Sequence, residues 1–349
     1  MAKTIDKAAD QARVLEFDYV RATEAAALQA LRWLGRGDKI AADDAATDAM
    51  RGMLNLIDMR GRCVIGEGIK DEAPGILAGE KLGRWSPNAV RVNFAIDPID
   101  GTRLTAKGLP GAISVLAASV PTNNADDTLA ELPSLYSEKL AFGPAVREAN
   151  APIDLNAPIE QTLRKVAKCL DKRVPDLVVT LLDRPRHEDQ INRIRNAGAR
   201  IRLIGDGDVA MAIAPSMLNS TVDLYVGIGG SPEAVIAAAA IKCLGGQMLA
   251  KMWPRDEDER QTLIDTGWGD RLDQVYDCDD LAPGDEISFA ATGVSDSPML
   301  PGIAVQGQHA HTHSILMRAK FRTVRYIHAI HNLKFKTIRM ASDKKEHKL

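Results

Sequence analysis
The chain has 349 residues, which at roughly 150 residues per domain predicts one large or two intimate domains. A composition of 45% apolar and 26% charged residues is globular and excludes wholesale disorder. The balance of 44 basic against 47 acidic residues gives a net charge of −3 and excludes a chain-wide attraction to nucleic acid or membrane, so an anionic substrate must be held by local groups. No apolar run approaches the roughly 18 residues of a membrane span. The N-terminal stretch mixes Lys and Asp without an apolar core and does not read as a signal peptide. Cys63, Cys169, Cys243 and Cys278 are widely spaced with no CxxC, which predicts buried reduced thiols in a cytosolic protein.

Residues 8–34 have helical periodicity, with Val14, Phe17, Val20, Ala25, Leu28, Leu31 and Leu34 near one stripe, stopped by Gly35 and Gly37. A second helix is predicted over 43–57, with Ala45, Ala46, Ala49, Met50, Met53 and Leu54 inward. Strands are predicted at 62–65, 89–96, 112–119 and 137–142, with a polar loop at 121–131. After about residue 155 strands (177–182, 201–204, 222–228, 247–252) alternate with helices (187–197, 207–214, 232–244). The first half, 1–155, thus reads as α+β and the second, 156–340, as α/β, with a polar, frayed tail at 341–349.

The most informative segment is Asp97-Pro98-Ile99-Asp100-Gly101-Thr102. Pro98 keeps Asp97 extended, Asp100 follows a turn, Gly101 permits a close backbone approach, and Thr102 opens a helix whose free N–H groups favour an anion. Paired carboxylates beside such a site suit Mg²⁺ shared with a substrate phosphate. Glu67 stands between two glycines, Asp43 begins the second helix, and Glu233 follows Pro232 in the first turn of another helix. Carboxylates aimed at one crevice repel unless cations lie between them, which predicts a site with two or three metals.

Other signals are read as structural. His309, His311 and His313 alternate and share one strand face rather than form a zinc site. Gly227-Ile228-Gly229-Gly230 lacks the dinucleotide spacing. Cys63 has no nearby partner for a redox switch. The basic stretch 318–339 is expected to be a strand and an amphipathic helix with a charged outer side.

Nine motifs together identify a resemblance: WLGRGDK (33–39), VIGEG (64–68), DEAP (71–74), DPIDGT (97–102), YSEKL (136–140), RPRH (184–187), DGDVA (206–210), YVGIGGSPE (225–233) and FAATG (289–293). They resemble the class II fructose-1,6-bisphosphatases of bacteria, whose cyanobacterial members also hydrolyse sedoheptulose-1,7-bisphosphate. The resemblance implies an α/β fold with the alternating α/β/α/β/α layers of the lithium-sensitive sugar-phosphatase superfamily. It implies metal ligation by Asp43, Glu67, Asp97, Asp100 and Glu233, with two or three Mg²⁺ or Mn²⁺ ions. Substrate contacts carry over to Asp100, Gly101, Thr102, Tyr136, Arg184, Arg186, Asp206, Asp208 and Gly230. Thr102, Glu67 and Asp97 are the expected catalytic groups, supported by Lys39 and Asp71. The sequence departs from the family at Asp100, usually Glu, at Arg184, usually Lys, and at Ile69, usually acidic.

The expected activity is metal-dependent hydrolysis of a sugar bisphosphate at its 1-phosphate, in gluconeogenesis or the Calvin cycle. Arg184, Arg186 and Tyr136 would grip the distal phosphate, and Asp206 and Asp208 would accept from sugar hydroxyls or cap the following helix. The rivals are an inositol- or nucleotide-type phosphatase of the same superfamily and a non-catalytic sugar-phosphate sensor. A cytoplasmic homodimer or homotetramer, free of nucleic acid and membrane, completes the expectation.

Overall fold
The computed structural model describes residues 7–66, 75–121, 129–342 and 346–348. The chain forms two compact units, Met1–Leu129 with Pro283–Leu349, and Ala130–Ala282. The boundary expected near residue 155 therefore falls inside the second unit, and the first unit is discontinuous.

The first unit begins with α1 (Lys7–Leu31) and α2 (Lys39–Leu54). The strands β1 (Met59–Ile65), β2 (Lys81–Leu82) and β3 (Val90–Asp100) follow, then α3 (Thr102–Lys107) and β4 (Ile113–Ser119). α1 buries Val20, Ala25 and Leu28 of the expected stripe together with Tyr19, Ala22, Ala26, Ala27 and Ala30, whereas Val14 and Phe17 at its start are exposed. Small alanines let α1 lie close against the sheet, and periodicity alone ranks Phe above Ala.

The second unit starts at β5 (Tyr136–Phe142), followed by α4 (Pro144–Glu148), α5 (Ile159–Cys169), β6 (Val178–Leu182), α6 (Glu188–Asn196), β7 (Arg200–Ile204) and α7 (Asp208–Ile213). It continues with β8 (Leu224–Gly230), α8 (Ser231–Leu244), β9 (Gln247–Trp253), α9 (Glu257–Leu263) and α10 (Cys278–Leu281). Its five-stranded sheet has the order β7-β6-β8-β5-β9. β6 runs parallel to β7 and β8, while β5 is antiparallel to β8 and β9. The expected strand–helix alternation holds, within a mixed sheet. α8 is apolar all round from Ala234 to Ile241, and those residues are fully buried.

The chain then returns to the first unit with β10 (Ile287–Gly293), β11 (Ala304–Gln306), β12 (His309–Arg318), β13 (Thr323–Asn332), β14 (Thr337–Arg339) and β15 (Glu346–Lys348). β10 pairs with β4 along its whole length, Ile287 opposite Ser119 and Gly293 opposite Ile113. This ladder explains the split: strand alternation in the sequence marks a strand but not its partner. The eight-stranded sheet runs β11-β12-β10-β4-β3-β1-β2, with β13 on β12.

Two expectations are corrected here. The stretch 318–339 forms β13 and β14 and no helix, because β13 pairs with β12 from Thr323 to Asn332. The tail is not simply frayed, since Glu346 to Lys348 pair with β14 and Ile338 is buried. The loop 121–131 lies mostly outside the described residues. The histidine strand is present: His311 Nδ1 is 3.0 Å from His328 Nε2, and His313 stacks on His328. Cys63, Cys243 and Cys278 are buried; burial pushes the Cys278 thiol up to about 12.

Candidate active site
In the first unit the acidic segment lies within β3. Asp97 pairs with Val115 and Asp100 with Ile113, so three steps on β3 match two on β4. The extra residue is a bulge, which admits Pro98 to an interior strand despite its missing N–H. The last partner of β1 on this strand is Ala95, so the acidic end projects beyond β1. Asp97 is half-buried and Asp100 only 4% exposed. Gly101 follows with φ 97°, a left-handed conformation that favours glycine, and Thr102 is the first residue of α3.

α3 also holds the loop before α2. The Gly35 and Gly37 N–H groups donate to the Thr105 and Ala106 carbonyls, each at 2.8 Å. Asp38 caps α2 by accepting from the Ala41 N–H at 2.9 Å. Lys39 is thus the first residue of α2, and Asp43 sits a turn inside the helix rather than at its start. α2 packs on β3 and α3, which places Asp43 in the same unit as Asp97 and Asp100. Glu67 and Asp71 lie outside the described residues. Among the described residues, no three His, Cys, Asp or Glu side chains form a group that could hold a metal ion.

The second unit brings together most of the expected substrate residues. Tyr136 lies opposite Gly230 and Trp253 across the sheet. The Arg186 guanidinium stands 4.9 Å over the Tyr136 ring. Its Nε and Nη2 donate to the Ile228 carbonyl at 3.2 and 2.8 Å. Burial lowers the Arg186 pKa, with Arg184 adding to the effect. Arg184 bonds Asp206 at 3.2 Å. Arg184 is thus tied to Asp206 and Arg186 to the Tyr136 face, close enough for the two cations to act on each other.

Asp206 and Asp208 flank the start of α7. Its N-cap is Gly207, at φ 70°, without a side-chain bond, and Asp208 is the first helical residue. Asp208 is buried against the Lys139 ammonium at 2.8 Å and accepts from the Tyr225 hydroxyl at 3.0 Å. A buried lysine in an apolar strand is the signal in YSEKL that would have disclosed this pair, because such a charge requires a partner.

The glycines of β8 explain the surface beneath these groups. A Cβ at Gly229 would stand 1.9 Å from Asp208 Oδ2, and one at Gly230 would stand 1.9 Å from Glu233 Oε2. Gly227, at φ 131°, carries the His187 ring, whose Nε2 would lie 3.1 Å from a Cβ there. Each glycine clears space for a polar side chain from a different element.

The donors suit a hard divalent cation, which takes oxygen ligands. Glu233, in the first turn of α8, has its Oε2 buried with no hydrogen-bond partner among the described residues. Buried acceptors are nearly always satisfied, and a cation would satisfy this one.

A family model described as bacterial fructose-1,6-bisphosphatase, glpX-encoded, matches residues 13–331. A Haemophilus influenzae protein named fructose-1,6-bisphosphatase class 2 is 46% identical over 332 residues, 92% of this chain and 97% of the relative. A Synechococcus protein named D-fructose 1,6-bisphosphatase class 2/sedoheptulose 1,7-bisphosphatase is 39% identical over 339 residues, covering 91% and 95%. A second Synechococcus protein with the same name is 38% identical over the same length. The chain belongs to the bacterial, glpX-encoded fructose-1,6-bisphosphatase family.

Proposed function
We propose that this chain hydrolyses fructose-1,6-bisphosphate to fructose 6-phosphate and phosphate, and that sedoheptulose-1,7-bisphosphate is a second substrate. The carrying observation is the Tyr136, Arg184 and Arg186 cluster, a cationic site far richer than a monophosphate needs, within a chain that matches the family over nearly its full length. The substrate is then held by two ends. Arg186, stacked on Tyr136, and Arg184 meet the distal phosphate, and Asp206 and Asp208 accept from sugar hydroxyls.

Asp43, Glu67, Asp97, Asp100 and Glu233 would hold Mg²⁺ or Mn²⁺, two or three ions per site. When bound, these ions supply the Lewis acidity that offsets charge on the transferring phosphoryl group. Thr102 orients the attacking water or a phosphoryl oxygen, and the N–H groups following Gly101 stabilise developing negative charge. Lys39 and Asp71 support the surrounding loops. Asp100, shorter by one methylene than the family's Glu, alters metal preference or rate rather than abolishing turnover. The layering of the superfamily, a cytoplasmic location and a homodimeric or homotetrameric state belong to the same reading. Among the described residues, no helix is long and apolar enough to cross a membrane.

The test is phosphate release from six- and seven-carbon bisphosphates with each ion. Release from the six-carbon substrate with Mg²⁺ or Mn²⁺ is expected. Binding without release would favour the sensor, and preference for an inositol or nucleotide monophosphate would favour the sister enzymes. Arg186→Ala should raise KM with kcat little changed; an unchanged KM removes Arg186 from the substrate site.

A further inference from the structure
β8 loses its strand neighbour before it reaches the site. β6 pairs with β8 only through Val179 with Leu224 and Thr180 with Tyr225, and β6 ends at Leu182. Beyond that point the edge of β8 offers the N–H and carbonyl of Ile228 without a ladder partner on that side. Two consecutive side chains from the turn after β6 take both. The Ile228 N–H donates to His187 Nε2 at 2.7 Å, and the Ile228 carbonyl accepts from Arg186 Nε and Nη2. His187 Nδ1 is 2.7 Å from the Leu182 carbonyl, which must be accepting, so the ring is the Nδ1–H tautomer with Nε2 free to accept.

The ring is 1% exposed and seats on Gly227. Burial holds its pKa below the usual histidine range, and the cations of Arg186 and Arg184 act the same way against Asp208, so the accepting form persists. Within RPRH, the role of this histidine is disclosed only by its bond to a strand forty-one residues away.

We infer that His187 is a positioning residue for Arg186: by anchoring the N–H of Ile228 it fixes the carbonyl that aims the Arg186 guanidinium across Tyr136. The inference rests on the proposed role of Arg186 at the distal phosphate. Loss of the ring leaves the Ile228 peptide free to tilt and the guanidinium free to leave the Tyr136 face, so binding of the distal phosphate weakens while the bond-breaking end of the site is untouched.

The experiment is steady-state kinetics on fructose-1,6-bisphosphate with His187→Ala, His187→Gln, Arg186→Ala and the double variant His187→Ala/Arg186→Ala. His187→Ala is expected to raise KM about tenfold, the scale of one hydrogen bond, with kcat within about twofold of wild type. In the Arg186→Ala background the same change should add little. His187→Gln, which restores an acceptor at similar reach, should return KM most of the way and serves as the deciding variant if His187→Ala fails to fold. Equal KM penalties in both backgrounds, a fall in kcat at unchanged KM, or a glutamine variant no better than alanine would overturn the positioning role. An unchanged KM in Arg186→Ala is a different failure, because it removes the substrate role of Arg186 itself.

Discussion

Two glycine-bearing strand ends, 97–102 in the first unit and 227–230 in the second, present polar groups by opposite means. In the first, a bulge at Pro98 and a left-handed Gly101 shape the strand end that itself carries Asp97 and Asp100. In the second, the strand carries almost no side chains of its own, and Asp208, Glu233 and His187 lie down on it from three other elements. One region makes a site by bending its own residues; the other makes it by removing side chains so that others fit. The first should therefore tolerate loss of a functional group without loss of fold, whereas in the second the two are coupled.

The sharpest break of that contrast is Asp97→Asn. It removes a carboxylate from the bulged strand end and should lower kcat by roughly a thousandfold, the equivalent of several kcal/mol of charge stabilisation, with little change in thermal stability. Phosphate release and a melting curve measured together decide it; near-normal turnover would refute the metal assignment. Glu67→Gln should behave alike.

Lys139→Met should show the opposite profile. It strands Asp208 in a site where the pair is 1% and 6% exposed, and should destabilise by about 3–5 kcal/mol by chemical denaturation. Adding Asp208→Asn should recover part of that loss, since both charges are then gone. Gly229→Ala comes next, at about 1–3 kcal/mol, because its methyl group must displace Asp208; KM should rise in the same variant.

The smallest effect is a pH dependence shared by the two units. In the first, burial and then Lys336 hold the His331 pKa down to about 4. In the second, burial lowers that of His187. Both are therefore neutral in the native state while an unfolded histidine, near 6.5, takes up a proton. Stability is then complete above about pH 6.5 and falls as pH drops toward 4. Glu24, raised by its own burial, acts with the opposite sign. A decline in Tm of about 2–4 °C between pH 7 and 5, flattened in His331→Asn, is the expected reading.

This contrast also governs what could be read from the sequence. The 97–102 segment was legible because its chemistry is contiguous: two Asp, a Pro and a Gly at fixed spacing name their own geometry. The strand–helix alternation after residue 155 was legible for the same reason, since each element declares itself locally. Gly227, Gly229 and Gly230 could be seen, but not what lies on them, because a glycine does not state which distant side chain it admits. Lys139 with Asp208, and His187 with Ile228, are separated by tens of residues and meet only through sheet register. Likewise Val14 and Phe17 met every rule for an inward stripe, yet the sheet prefers the thinner alanine face of α1.

The β4–β10 ladder has a consequence for how the protein comes into being. Strands 113–119 and 287–293 must meet edge to edge, so the first-made segment waits on the ribosome for a neighbour encoded far downstream. The inserted body, Ala130–Ala282, is continuous and complete before that neighbour emerges. Synthesis thus favours an inside-out order, in which the middle of the chain matures first and the flanking pieces close afterwards. During that interval β4 exposes an apolar edge, and it is then that the nascent chain most depends on protection from aggregation.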